Sequence, residues 1–577
     1  MNRWWLTSLS LAIIAVVGGL PHASAADATA AVVPAAVDPT PFGGDFPALD
    51  GWATGEWWTA ARAEGGDGRR GAKAGRPFPL DVPRSDVVAF ALYTVSLEPA
   101  ATAGVLKMTA QLFPLKPGEP MEARLEVDRG AGWEEVVRAP VLYPGWDVHF
   151  RVEGWDASRA VPYRVRHGTD ATFTGTVRRD PAEKERLSVA VLSCNSSSTT
   201  GPRTELVANL EALDPDLLFF AGDQTYRHTQ HTVGWIEFGL QFRDVLRDRP
   251  TVTIPDDHDV GHPNLWGASG KRALEKDGSD GGFFYPAAYV NMVQRQQTWH
   301  LPDPVDPAPV EQGITVYFTR LVLGGLDLAI LEDRKFKTGP RGTIPQLGPR
   351  PDHITDPTYD RGAVDLPGLE LLGKRQLAWL DRWSRDTAGV RAKAVLSQTA
   401  FCGAVHMHGK IDERLLADLD CNGWPQSGRK AALRLIRQAG AVHLCGDQHL
   451  AVVVQHGIDA FRDGPWAFTA PAIVNTVYGR WWHPENERAG PNPIAGSPLP
   501  WTGDYEDGLG NKLTMVAYAN PENPTNEQKR ADGFGTAVWD FPGKTVTFHC
   551  VPRFAAIHDG VPEEYPGWPV KVPLETP

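Results

Sequence analysis

Leu187-Ser188-Val189-Ala190-Val191-Leu192 runs without a break into Ser193-Cys194-Asn195. A nearly continuous apolar run of this kind is expected of a strand covered on both faces, and a polar triplet at its end marks where the chain leaves the sheet. An amphipathic stretch from Thr204, read as the helix cap, to Leu213 comes next. Asp216-Leu217-Leu218-Phe219-Phe220-Ala221 then repeats the apolar run, which completes a βαβ unit. The same texture continues downstream, with strands expected at Thr251–Ile254, Leu326–Leu331, Ala394–Ser397 and Ala441–Leu444 and helices near 369–385 and 428–439. The fold class is α/β, over residues 186–555.

Upstream the texture differs. Between about 86 and 178, short runs such as Val87-Val88-Ala89-Phe90-Ala91-Leu92-Tyr93 and Tyr163-Arg164-Val165-Arg166 are separated by Gly and Pro turns. That spacing predicts an antiparallel β-sandwich, fibronectin III-like, over 81–180. Residues 26–80 read as an irregular leader and 556–577 as a C-terminal tail. Residues 1–25 carry Arg3, an apolar run from Leu9 to Leu20 and Ala23-Ser24-Ala25, the pattern of a secretory signal cleaved before Ala26. A secreted or periplasmic protein is expected, with no stable membrane span, because no later segment offers 18 uninterrupted apolar residues.

Composition narrows the function classes. With 42% hydrophobic and 22% charged residues in 577, the chain is neither disordered nor a multi-span membrane protein. Its net charge of −13, with no basic run interleaved with aromatics, argues against a nucleic-acid-binding module. The 58 Gly and 49 Pro imply long loops, which suit an enzyme. Five cysteines cannot all pair in an oxidising compartment. Cys402 with Cys421 is the expected disulfide and Cys445 with Cys550 a second, which leaves Cys194 as the free thiol; connectivity itself stays open.

Each core strand ends in chemically similar residues: Ser193-Cys194-Asn195, then Gly222-Asp223-Gln224-Thr225-Tyr226, Asp256-Asp257-His258-Asp259, Glu332-Asp333-Arg334 and Gly446-Asp447-Gln448-His449. In an open α/β sheet the carboxyl ends of strands form the ligand crevice. So many carboxylates at one rim repel one another unless cations lie among them. Thiolate, phenolate and imidazole suit iron, while carboxylate and amide oxygens suit calcium, manganese or magnesium. A two-metal site polarises a phosphoryl oxygen, supplies hydroxide near neutral pH and steadies a leaving oxygen, which is the need in phosphoester hydrolysis.

In this order the motifs resemble those of the alkaline phosphatase D (PhoD-like) metallophosphoesterases, over roughly Pro83 to Arg553. The resemblance implies a calcineurin-like α/β/β/α sandwich and a centre holding Fe3+ with Ca2+, or another divalent ion such as Mn2+ or Mg2+. It implies Cys194, Asp223, Tyr226, Asp257, Asp447 and His449 as metal ligands, with Asp223 bridging. His258 would meet the phosphate and protonate the leaving group, Asp259 would orient its ring, and Arg334 and Asn195 would contact the substrate, a phosphate mono- or diester. The chain departs from the family pattern in having Ile254-Pro255 where a Trp is common, in keeping only Asn264 of an asparagine pair, and in lacking twin arginines beside Arg3.

Other readings compete. Arg334 could pair with Glu332 or Asp333 at the surface, and His406 and His408 are either a further ligand pair or a solvated loop. Trp481-Trp482 could form a sugar platform, although core packing accounts for most tryptophans. The alternatives are a phosphodiesterase specialised for wall polymers or phospholipids, or a non-catalytic glycan-binding protein on the same fold.

Overall fold

The computed structural model describes residues 37–55, 82–99, 101–197, 201–405, 415–483, 490–523 and 529–575; the signal-like segment and His406 and His408 lie outside them. Two sheets stack face to face at the centre. In the first, Thr251–Thr253, Leu217–Phe220 and Arg186–Asn195 lie parallel. Gly533–Asp540, Thr545–Pro552 and Val570–Pro573 extend it antiparallel on the other side. In the second, Leu326–Ile330, Ala392–Leu396, Val442–Cys445 and Trp466–Thr469 lie parallel, with antiparallel strands at both edges.

Side-chain alternation decides which face meets what. Leu187, Val189 and Val191 pack between the sheets with Leu328, Leu396 and Leu444, whereas Ala190 and Leu192 face outward. Helices Thr204–Leu213 and His231–Leu246 cover that outer face. Lys374–Arg385 and Gln426–Gln438 cover the far side of the second sheet, burying Trp379, Leu380 and Trp383 from one and Ala432, Leu433 and Ile436 from the other at helical spacing. The order is the α/β/β/α sandwich.

The N-terminal unit is a seven-stranded antiparallel sheet over 88–177. Trp133–Leu142 pairs with both Glu122–Asp128 and Asp147–Asp156, so the two halves are continuous. The outer strands meet where the Tyr93 hydroxyl donates to the Thr176 carbonyl at 3.2 Å, which brings the sandwich close to a barrel. Phe90 docks this unit on helix His231–Leu246: a Cβ on Gly239 would lie 1.9 Å from its ring, so only glycine admits the contact.

Several boundaries differ from expectation. Thr204 is the first helical residue rather than the cap, which is Arg203. The helix expected from 369 starts at Lys374, because Gly373 at φ 71° turns the chain while Leu371 and Leu372 are buried in a bend ahead of it. Part of the expected leader is ordered, since Pro47–Ala53 is a helix whose Leu49 and Ala53 pack with Tyr285 and Tyr289. Part of the expected tail is an edge strand, Val570–Pro573, paired with Thr545–Phe548. All five cysteines are unpaired and buried, so neither expected disulfide forms. The Cys421 thiol donates instead to the Asp418 carbonyl at 3.0 Å, while Cys445 and Cys550 lie in different core clusters. Among the described residues no helix is long and apolar enough to cross a membrane.

Candidate metal centre

Parallel strands of both sheets end at one rim, and two Gly-Asp steps set its backbone. A Cβ on Gly222 would lie 2.5 Å from Asp256 Cβ, and one on Gly446 would lie 2.2 Å from Ser193 Oγ. Only glycine lets the neighbouring loops come this close. Cys194, Asp223, Asp447 and His449 all adopt left-handed backbone, at φ 61°, 59°, 69° and 50°. Such conformations cost about 1–3 kcal/mol each and persist where the surrounding packing over-determines them.

The strained residues converge. Cys194, Asp223 and His449 bring ligand atoms within 4.8 Å of one another, as do Asp223, Asp257 and His258, and again Asp223, Asp256, Asp257 and Asp447. Asp223 belongs to all three groups, the placement a bridging carboxylate requires. The Tyr226 hydroxyl joins the first group, 2.9 Å from His449 Nε2. Asn475, which the sequence reading passed over, donates to both Tyr226 Oη and His449 Nε2 at 2.9 Å. It follows the short strand Ala472–Val474, so the signal that located the other motifs, an apolar run ending in a polar residue, was present there too.

Electrostatics suits cations. Burial pushes the carboxyls of Asp223, Asp256 and Asp257 well above the usual range, and their mutual repulsion adds to it. Burial likewise raises the Cys194 thiol and the Tyr226 phenol, with Asp223 contributing to both. Burial lowers His449 to about 4, so its ring is neutral, and its hydrogen bond to the Val477 backbone leaves Nε2 to meet Tyr226 Oη and Asn475. Asp257 Oδ1 is buried without a hydrogen-bond partner, as befits a ligand atom. The residues therefore fit a metal pair: a mixed thiol, phenol and imidazole set on one side of Asp223, a carboxylate set on the other.

Four sequence expectations need correction. Arg334 is fully buried, and all three nitrogens of its guanidinium are engaged by protein groups. Nε and Nη2 donate to Asp256 at 2.6 and 3.1 Å, Nη1 to the Asp420 carboxylate and carbonyl at 2.8 and 3.2 Å, and Nη2 also reaches Asp447 at 3.0 Å. It is held among carboxylates with no exposed face to offer a phosphate, and it does not sit at the surface with Glu332 or Asp333. Asn195 is buried likewise: its amide donates to Gln241 and the Gln224 carbonyl at 2.7 and 3.3 Å and accepts from Arg203 at 3.0 Å. Its amide is engaged within the protein, where it shapes the loop.

Asp259 does not serve the His258 ring either. Its carboxylate, pushed up to about 7 by burial, accepts from the backbone N–H groups of Asp223, Asp256 and Thr225 at 2.9, 3.0 and 3.3 Å and so ties two ligand loops together. Trp481, proposed as a sugar platform, is fully buried and donates to the Trp501 carbonyl at 2.9 Å. On the loop that departs from the family pattern, Asn264 donates to Asp352 at 2.7 Å.

No protein-family model matches the chain, and no curated protein matches it in sequence. A solved structure of PhoD matches with a TM-score of 0.55 at 14% identity, covering 85% of this chain and 90% of that one. Purple acid phosphatase PPD1 from yellow lupin (Lupinus luteus) seeds matches with a TM-score of 0.49 at 11% identity, over 82% of this chain and 73% of its own. The first likeness shows that the chain has a PhoD-like metallophosphoesterase fold, as its motifs implied.

Proposed function

We propose that the chain is a metal-dependent phosphoesterase that hydrolyses phosphate mono- or diesters outside the cytoplasm. The observation that carries this reading is the position of Asp223, which belongs at once to a thiol–imidazole ligand group, to a group with Asp257 and His258, and to an all-carboxylate group. Cys194, Asp223, Tyr226 and His449 would hold one ion, Fe3+ on the chemistry of their donors, and Asp223, Asp257 and Asp447 a second such as Ca2+, Mn2+ or Mg2+. Bound there, the pair would polarise a phosphoryl oxygen, lower the pKa of water and steady the leaving oxygen.

The chain's own residues do the rest. Arg334 holds Asp256 and Asp447 in place and offsets their charge. Asp259 fixes the backbone that carries Asp223 and Asp256. His258, half-buried at the rim with Nε2 3.9 Å from Asp257 Oδ2, would give a proton to the departing oxygen. Export is supported by the charge, apolar run and small-residue site within residues 1–25.

The test is hydrolysis of nitrophenyl phosphate and bis-nitrophenyl phosphate by the purified full chain. The expected result is release of nitrophenol that a strong chelator abolishes and added metal restores. Turnover unaffected by chelation, or none with metal present, overturns the reading.

A further inference from the structure

His258 does not stand alone. His228 Nε2 lies 2.7 Å from His258 Nδ1, and the two rings stack at 5.0 Å with 22° between their planes. The Tyr226 ring lies 4.0 Å from the His258 ring. An imidazole has two ring nitrogens, and a half-turn of the ring exchanges their places; the hydrogen bond made by one nitrogen selects which of them faces the site. Here Nδ1 is engaged, and Nε2 is the atom near Asp257.

The backbone of His228 is itself held under strain. Its φ is +35°, outside the regions open to ordinary side chains. The Tyr289 hydroxyl donates to the His228 carbonyl, and Tyr289 is fixed edge-on to Phe42 at 5.5 Å. The helix Pro47–Ala53 packs beside the short turn that His228 opens. A strained residue buttressed from two directions, with its ring against a histidine of the site, is a built feature.

We propose that His228 is a positioning residue that fixes the His258 ring with Nε2 toward the phosphoester, and that it matters most for substrates whose leaving group is an alkoxide. This rests on the phosphoesterase reading, because only a poor leaving group needs a proton delivered as it departs. A nitrophenolate departs with little help, whereas an alkoxide does not.

The experiment compares the metal-loaded full chain with His228→Ala and His228→Gln on a nitrophenyl phosphate and on an alkyl phosphate. For His228→Ala the expected kcat loss is about 100-fold on the alkyl ester and about tenfold or less on the nitrophenyl ester, with KM and bound metal unchanged. Glutamine, whose amide reaches where Nε2 stood, restores most of the difference. Equal losses on both esters, no loss, or loss of metal overturns the proposal. Crystal structures of wild type and His228→Ala form a second arm: a rotated or split His258 ring in the variant is expected, and an unchanged single orientation contradicts it. Should wild type hydrolyse neither ester, the phosphoesterase reading fails, while the ring orientation still decides whether His228 positions His258.

Discussion

At the scale of single residues, Arg334 shows how a side chain can be indispensable without touching substrate. A guanidinium held by buried acceptors neutralises carboxylates at the rim that would otherwise repel one another. Removing one member of a buried ion network leaves its partners uncompensated, at about 3–5 kcal/mol. Arg334→Leu is therefore expected to lower unfolding stability by about that amount in denaturant titration. A variant of full stability that loses only substrate affinity would restore the phosphate-clamp role. A second expectation concerns Tyr226: the loaded protein should show a visible iron–tyrosinate band that Tyr226→Phe removes. The residue types at the site were legible in the sequence, but the partners of Arg334 were not. Asp256 and Asp420 lie 78 and 86 residues away, and only the folded chain shows that they engage all three nitrogens of its guanidinium.

At the scale of elements, strand ends and the glycines beside them carry the site. The core strands were readable because a strand covered on both faces needs a continuous apolar run, and Leu187–Leu192 and Leu217–Phe220 supply one. Thr545–Pro552 was not readable in the same way, because it alternates between buried and half-buried positions and is bounded by Gly543 and Pro552. The start of helix Lys374–Arg385 was missed because Leu369–Leu372 continues its apolar content while Gly373 breaks its geometry. A Gly222→Ala change tests how the turn works. Its Cβ would meet Asp256, and its φ of +111° disfavours any L side chain. A stability loss of about 1–3 kcal/mol is expected, together with weaker metal retention on dialysis, because Asp223 moves with the turn. Retention equal to wild type would show that the turn does not place Asp223.

At the scale of the whole molecule, two sheets aim their carboxyl ends at one rim and so bring acidic groups together in a buried place. Asp259, at about 3.8 when exposed and about 7 when folded, contributes stability that is full below its exposed value and lost as pH rises through the folded one. Asp223, Asp256 and Asp257 shift in the same direction. His231, His300 and His443, lowered by burial to about 3, act oppositely, but their contribution is complete above about 6.5. Between pH 6.5 and 8.5 the metal-free protein is therefore expected to lose melting temperature as pH rises, and the loaded protein to resist that loss; parallel curves for the two forms would contradict this.

The central claim is that cations make this rim possible, and elemental analysis of purified wild type and Asp223→Asn tests it most directly. Because Asp223 is shared by all three ligand groups among the described residues, the account predicts two ions per chain in wild type and loss of both in the variant. A folded wild type that carries no metal after purification and reloading, or an Asp223→Asn protein that keeps both ions, would contradict it.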